Sequence, residues 1–244
     1  MCQHCIDAPG DKSLLLHRRR FLTFAAAAGL TIGSRALAEP VKVPPKPENV
    51  LSPDAALTRL MHGNARYVDG LSKRHDFRHE REALSKGQNP FAGILSCADS
   101  RIVPEYCFDT ARGDLFVCRV AGNIADDDIV ASFEYAVQIL NTPLILVLGH
   151  QACGAVDATI KSLKSGETLP GRLPALVSAI GPAVKAVQAQ AGDLLDNAIK
   201  RNVLMNVEKL KKATPILAKF VADKKIRVVG GIYNLHTGHV ELLA

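Results

Sequence analysis

Three short apolar runs constrain the fold of this chain more than any other feature. Phe91-Ala92-Gly93-Ile94-Leu95-Ser96 ends at Cys97, Leu115-Phe116-Val117 ends at Cys118, and Leu144-Ile145-Leu146-Val147-Leu148 ends at Gly149-His150. Continuous apolar runs that alternate with helical segments predict parallel strands buried on both faces. Apolar residues at helical spacing predict helices over 53–68, 129–140, 154–165, 175–190, 193–212 and 215–222, with a loop over 166–174 and closing strands at 226–229 and 239–242. Ser52-Pro53-Asp54 reads as an N-cap with proline at the first helical position. The expected fold is therefore α/β, a central and mainly parallel sheet flanked by helices. A chain of 244 residues, 48% hydrophobic and 22% charged, suits one globular domain.

The N-terminus is patterned differently. His17-Arg18-Arg19-Arg20-Phe21-Leu22 precedes an apolar run from Phe24 to Gly33 and then Ala36-Leu37-Ala38, the three-part layout of a cleavable signal. The paired arginines resemble a twin-arginine export signal. The apolar run is too short to cross a bilayer, which takes about 20 residues, so no stable membrane anchor is expected. We expect 1–38 to be a signal peptide handed to the export machinery and cleaved near Ala38-Glu39. Residues 39–51 would be a proline-rich arm and 52–244 the domain, placing the mature protein in the periplasm or outside the cell. Much of the basic character leaves with the signal, the net charge of +6 dropping to +3, and the remaining domain gives no reason to expect a nucleic-acid partner.

Cys2 and Cys5 leave as well, so Cys97, Cys107, Cys118 and Cys153 remain. His150-Gln151-Ala152-Cys153 puts two good metal ligands three apart where a strand gives way to a helix. Cys97, at the carboxyl end of another strand, is placed to supply a third. Catalytic zinc takes about three protein ligands and keeps a position for water. In extended geometry Cys97, Asp99 and Arg101 would share a face, and Arg101 can hold Asp99 by a bidentate pair. Cys107 and Cys118 read as core thiols, with a disulfide between them the alternative that spacing does not argue for. His62, His75 and His79 are expected to face solvent, and they or His236 and His239 could carry a proton.

Cys97-x-Asp99-Ser100-Arg101 with Gly149-His150-x-x-Cys153-Gly154 resembles the paired signature of beta-class carbonic anhydrases. The likeness extends through Gly113-Asp114-x-Phe116-Val117-x-Arg119-Val120-Ala121-Gly122-Asn123, Ser132-x-Glu134-Tyr135-Ala136 and Gly231-x-Tyr233, covering about residue 88 to the C-terminus. It implies one Zn²⁺ per subunit on Cys97, His150 and Cys153, with Asp99 and Arg101 as the dyad beside it. Zinc lowers the pKa of a bound water towards ~7, supplying hydroxide that attacks CO₂ to give bicarbonate. Asp99 would accept a hydrogen bond from that hydroxide, or in an inactive form ligate the metal. By the same resemblance Gln88 and the Gly154 amide would bind substrate oxygens, while Phe116 and Tyr135 would line a pocket at the interface of a homodimer or higher homo-oligomer. Some members carry a tryptophan three residues before the first cysteine for a bicarbonate-triggered shutdown. Ile94 stands there in this chain, so such regulation is not expected. Two other readings remain open on the residues alone: an enzyme of the same fold acting on carbon disulfide or carbonyl sulfide, and a non-catalytic zinc or thiol-redox protein.

Overall fold

The computed structural model describes residues 51–243. The expected signal at 1–38, and all but the last residue of the arm at 39–51, lie outside the described residues.

Helix α1 (Pro53–Val68) starts where Ser52 accepts a hydrogen bond from the Ala55 amide, with proline in the first turn, and buries the stripe Ala56, Leu57, Leu60 and Asn64. After α2 (Phe77–Leu84) come β1 (Ala92–Ser96), the one-turn α3 (Pro104–Cys107), β2 (Leu115–Arg119) and a 3₁₀ turn at Ala121–Asn123. Helix α4 (Asp127–Gln138), β3 (Leu144–His150), α5 (Gly154–Ser165), α6 (Leu173–Val187), α7 (Leu194–Lys212) and α8 (Ile216–Ala222) follow, then β4 (Arg227–Tyr233) and β5 (Val240–Leu243). The sheet order is β2-β1-β3-β4-β5, parallel throughout except that β5 closes antiparallel on β4. The expected architecture is the observed one.

Within the continuous apolar runs the pleat sorts side chains strictly. Ala92, Ile94, Leu144, Leu146 and Leu148 point to one face, where they meet Leu57 and Leu60 of α1 and Phe108 after α3. Leu95, Ile145 and Val147 point to the other, where they meet Phe133, Val156, Ile180, Ile199 and Val203 from α4 to α7. Burial on both faces is why these strands read as unbroken hydrophobic runs. Ile94 is part of the core on the α1 face.

Several boundaries differ from expectation, each for a local reason. Helix α4 begins at Asp127 rather than at Ile129, because Asp126 caps it by accepting from the Ile129 amide at 3.0 Å. Helix α6 spans Leu173–Val187 rather than 175–190, with Pro174 suited to its first turn. Strand β4 runs through Gly230 and Gly231 to Tyr233 instead of stopping at 229. Glycine usually weakens a strand, but here a Cβ on Gly230 would lie 2.8 Å from Val203 of α7, so its absence lets the helix seat on the sheet. The sequence pattern does not predict α2 or α3. Helix α2 carries too many charges (Arg78, Glu80, Arg81, Glu82) to show an apolar stripe, and α3 is only four residues long. His75 is half-buried rather than solvent-facing, its Nδ1 lying 3.3 Å from Glu80. His62 is exposed as expected, His236 and His239 are exposed too, and the His79 side chain lies outside what the structure describes.

Two buried polar residues fasten α1, Asn64 to β5 at the edge of the sheet and Asp109 to the segment that follows α3. Asn64 donates from Nδ2 to the carbonyls of Cys107 (2.9 Å) and Gly238 (2.8 Å), and its Oδ1 accepts from the Val240 amide at 2.9 Å. Asp109 accepts from Arg66 Nε and, at 2.8 Å, from the Lys73 amide. Burial pushes the Asp109 carboxyl up, but Arg66 and the Lys73 amide outweigh it and the net shift is downward. A carboxylate depressed in the native state contributes stability that is full above its unfolded value of about 3.9 and is lost as pH falls below it. Urea unfolding of Asp109→Asn and wild type across acid pH should therefore show the wild type losing stability more steeply below about pH 4, with the two slopes converging near neutrality. Parallel slopes in acid would contradict the assignment.

Candidate metal centre

The parallel register brings the chemistry-bearing residues to one edge of the sheet. Ser96 of β1 pairs with Leu148 of β3, so Cys97 and His150 leave neighbouring strands at their carboxyl ends. Ala152 then adopts a left-handed φ of 51°, an uncommon conformation for a residue with a side chain. That kink turns the chain from β3 into α5 with Cys153 at the helix N-cap. Cys97 Sγ, Cys153 Sγ and a ring nitrogen of His150 lie within 4.8 Å of one another, and all three residues are buried.

The donor set fits a zinc ion on two further observations. His150 Nδ1 lies 2.8 Å from the Gln151 carbonyl, which fixes that nitrogen as the N–H and leaves Nε2 as the lone-pair atom. Nε2 is fully buried and has no hydrogen-bond partner, a costly arrangement unless a metal takes the lone pair. The two sulfurs, meanwhile, share one proton. The hydrogen bond from the Cys153 thiol outweighs burial and drives Cys97 towards thiolate, and the same hydrogen bond, with burial and then the Cys97 charge behind it, drives Cys153 well above the usual thiol range. A dication is what allows both to be thiolates at once.

Asp99 and Arg101 stand beside these three. Asp99 Oδ1 accepts from the Arg101 amide (3.0 Å) and from Arg101 Nε (2.9 Å), while Oδ2 accepts from Arg101 Nη2 at 2.7 Å. Oδ2 also lies 3.9 Å from His150 Nε2, so one edge of the carboxylate faces the ligand cluster. Arg101 holds the Asp99 carboxyl far below the usual carboxylate range. Its grip leaves the aspartate outside the set of converging donors.

Backbone supports the sequence reading did not assign hold this arrangement. Arg119 Nη2 donates to the Asp99 carbonyl at 2.7 Å and Nε to the Cys97 carbonyl at 3.2 Å. The Gly122 amide donates to Cys97 Sγ at 3.3 Å. Behind that turn lie Asn202 and Asn206 of α7, both buried. They carried a readable signal, because they interrupt the apolar stripe Ala198, Ile199, Val203, Val207 and Leu210.

The expected substrate-binding residues divide. Gly154, the exposed first residue of α5, adjoins Cys153, and nothing lies within 4 Å of where its Cβ would be. Gln88 is exposed and precedes β1, at the opposite end of that strand from Cys97. Phe116 pairs in register with Gly93, well back from the ligand edge, and its ring packs against Tyr135 at 6.3 Å between centroids. Within one subunit, therefore, Gln88, Phe116 and Tyr135 are not gathered around the metal ligands. Cys107 and Cys118 are buried free thiols, as expected; burial pushes Cys107 up to about 11 and raises Cys118 too.

A zinc-type centre at the carboxyl edge of a parallel α/β sheet, with a carboxylate–guanidinium pair beside it, defines a metal-dependent hydrolytic or hydrating enzyme. A carbonic anhydrase family model matches residues 92–240. The carbonic anhydrase of Mycolicibacterium smegmatis is 37% identical over 192 residues, covering 78% of this chain and 93% of the relative. Carbonic anhydrase 2 of Mycobacterium tuberculosis is 35% identical over the same shares. The solved beta-carbonic anhydrase CcaA superposes with a TM-score of 0.61 at 28% identity, over 77% of this chain and 95% of that one. The chain belongs to the carbonic anhydrase family, in its beta class. That class uses zinc.

Metal removal gives a direct check. With zinc bound, Cys97 and Cys153 should resist alkylation. After chelation under reducing, oxygen-free conditions, peptide mass mapping should find Cys97 modified first, ahead of Cys107 and Cys118, whose raised pKa values keep them as thiols. Equal labelling of all four with and without metal would count against the site.

Proposed function

We infer that Asp99, Arg101 and the Gly154 amide organise the reversible hydration of CO₂ to bicarbonate and a proton around a metal held by Cys97, His150 and Cys153. The observation that carries this reading is a buried Cys-His-Cys cluster with a carboxylate oxygen 3.9 Å from the unpartnered His150 Nε2. Zinc held there supplies a water of lowered pKa, so that a nucleophile is available near neutral pH.

The chain's own groups supply orientation. Asp99 is a weak base, because Arg101 holds its pKa down, and so remains ionised wherever the enzyme works. It therefore accepts a hydrogen bond at Oδ2 from the attacking water and directs its lone pair, rather than taking the proton away. Arg101 uses Nε and Nη2 to fix the carboxylate plane. The Gly154 amide, an unpaired first-turn donor at the positive end of α5, suits a developing negative charge on a substrate oxygen.

Gln88, Phe116 and Tyr135 complete the site only if a second copy brings them to it. Tyr135 (49% exposed) and Ile139 (60% exposed) lie one turn apart on α4, next to the edge strand β2 that carries Phe116, an apolar surface suited to burial in a homo-oligomer. The test is stopped-flow CO₂ hydration on zinc-quantified protein of known oligomeric state. Cys153→Ser should lose zinc and activity together. Asp99→Ala should keep zinc but lose roughly 10²-fold in kcat/KM. A zinc-replete oligomeric wild type without hydration between about pH 7 and 9, the range in which a zinc-activated water is available, would overturn the reading.

The export reading rests on Arg18-Arg19-Arg20, the apolar run after them and Ala36-Leu37-Ala38. The mature enzyme would act in the periplasm or outside the cell. N-terminal sequencing of the exported protein should begin at Glu39, and replacing Arg18, Arg19 and Arg20 with lysine should leave the precursor inside. Export unaffected by those replacements would remove the twin-arginine assignment.

A further inference from the structure

We propose that Asn202 is a positioning residue for the metal, acting through the Gly122 turn on the Cys97 sulfur. The inference rests on Cys97 being a zinc ligand and goes beyond it by assigning what sets that ligand's geometry.

Residue 122 is gripped on both sides. Its amide donates to Cys97 Sγ at 3.3 Å, and its carbonyl accepts from Asn202 Nδ2 at 2.7 Å. The two bonds belong to adjacent peptide planes, so together they fix the rotation of the backbone at this residue. The required φ is 73°, and a Cβ there would lie 2.6 Å from Ile180, so neither the conformation nor the space admits a side chain. The turn is closed by a backbone bond from the Asn123 amide to the Val120 carbonyl at 3.0 Å, which does not engage the Gly122 carbonyl and leaves it to Asn202.

Asn202 is 2% exposed and is itself oriented. Asn206, one turn along α7, donates from Nδ2 to the Asn202 carbonyl at 2.8 Å and to Asn202 Oδ1 at 3.2 Å, and its own Oδ1 accepts from the Ala125 amide at 2.7 Å. These partners leave one consistent assignment: Asn202 presents its NH₂ to Gly122 and its oxygen to Asn206. Asparagine is a poor residue for a helix interior and costly to bury without partners, yet two stand on the core-facing stripe of α7. Core packing alone is better served by leucine or valine at both. What the amides provide, and an apolar side chain cannot, is a clamp at each end of the 122–125 segment, one end of which touches a metal ligand. Removing the clamp releases the Gly122 amide from the sulfur and lets the Cys97 side chain leave its place.

The experiment compares Asn202→Ala and the milder Asn202→Ser with Val207→Ala, which trims the core on the same helix where Val207 faces Gly230. Zinc affinity is read by chelator competition, ligand geometry by the sulfur-to-metal charge-transfer bands of the cobalt-substituted protein, and stability by urea unfolding. The Asn202 variants should bind zinc roughly 10- to 100-fold more weakly, with shifted cobalt bands. Asn206→Ala should fall between them and wild type, and Val207→Ala should lose stability with zinc affinity and cobalt bands unchanged. Wild-type affinity and bands in Asn202→Ser, or an equal loss of affinity in Val207→Ala at matched stability, would overturn the proposal. If neither Asn202 variant folds, the cadmium-loaded wild type decides it by NMR: a slowly exchanging Gly122 amide coupled to the metal supports the link, and a fast-exchanging uncoupled one refutes it. A wild type that takes up no zinc would instead overturn the metal assignment itself.

Discussion

The parallel pairing of β1 with β3 is the constraint on which the rest of the molecule depends. Gly93 to Ser96 stand level with Ile145 to Leu148. A one-residue slip would turn every side chain of one strand to the opposite face. It would place Leu95 among the α1 contacts, Ile94 among those of α4, and Cys97 about 3.3 Å from its place relative to His150. Because both faces of both strands are buried, such a slip exposes no alternative apolar set and is opposed along the whole length of the pair. The spacing between two of the three metal ligands is thus set by aliphatic packing, independently of any ion.

Electrostatics then decides what the gathered residues are. Two thiolates, an imidazole and a carboxylate crowded into a dry edge would be unstable as a set. Cys97 and Cys153 respond by sharing a proton, and Arg101 answers Asp99 by neutralising it through two parallel N–H···O bonds plus its own amide. A dication balanced by two thiolates leaves no net charge to draw Asp99 away from its arginine. Arg119 adds to this, since by holding the carbonyls of both Cys97 and Asp99 it keeps the ligand and the carboxylate in fixed relation. The aspartate stays beside the metal position as an acceptor. That is the role proposed for it in the hydration of CO₂.

Much of this was legible in the sequence, and the parts that were not share a cause. The apolar runs announced β1, β2 and β3 because burial on both faces writes itself into consecutive residues. Cys97 and His150 were recognisable because each closes such a run, and Cys153 because it stands three residues beyond His150. Strand β4 was truncated in the reading because Gly230 and Gly231 look like a break until Val203 is seen to need the room. Helix α2 has no apolar stripe to read. Asn64 and Arg119 act on backbone groups far along the chain, and a backbone carbonyl leaves no mark in a sequence; Asn202 shows only as a break in the apolar stripe of α7, without its target. Gln88, Phe116 and Tyr135 were assigned by resemblance, and nothing in their spacing announces that within one subunit they stand away from the ligands.

Helix α7 ties the core to the chemistry. A Cβ on Gly149, the residue before His150, would lie 2.5 Å from Val203, so the helix presses directly against the strand end that carries a ligand. Asn202, the residue next to Val203, reaches the turn that hydrogen-bonds to Cys97. Adjacent residues of one helix therefore bear on the neighbours of two ligands from two strands, one by van der Waals contact and one by a hydrogen bond. Densely packed interiors transmit small displacements because they have little free volume to absorb them. A displacement of α7 at Asn202 and Val203 bears on the neighbours of both ligands, and the same packing that buries the core there holds the site in place.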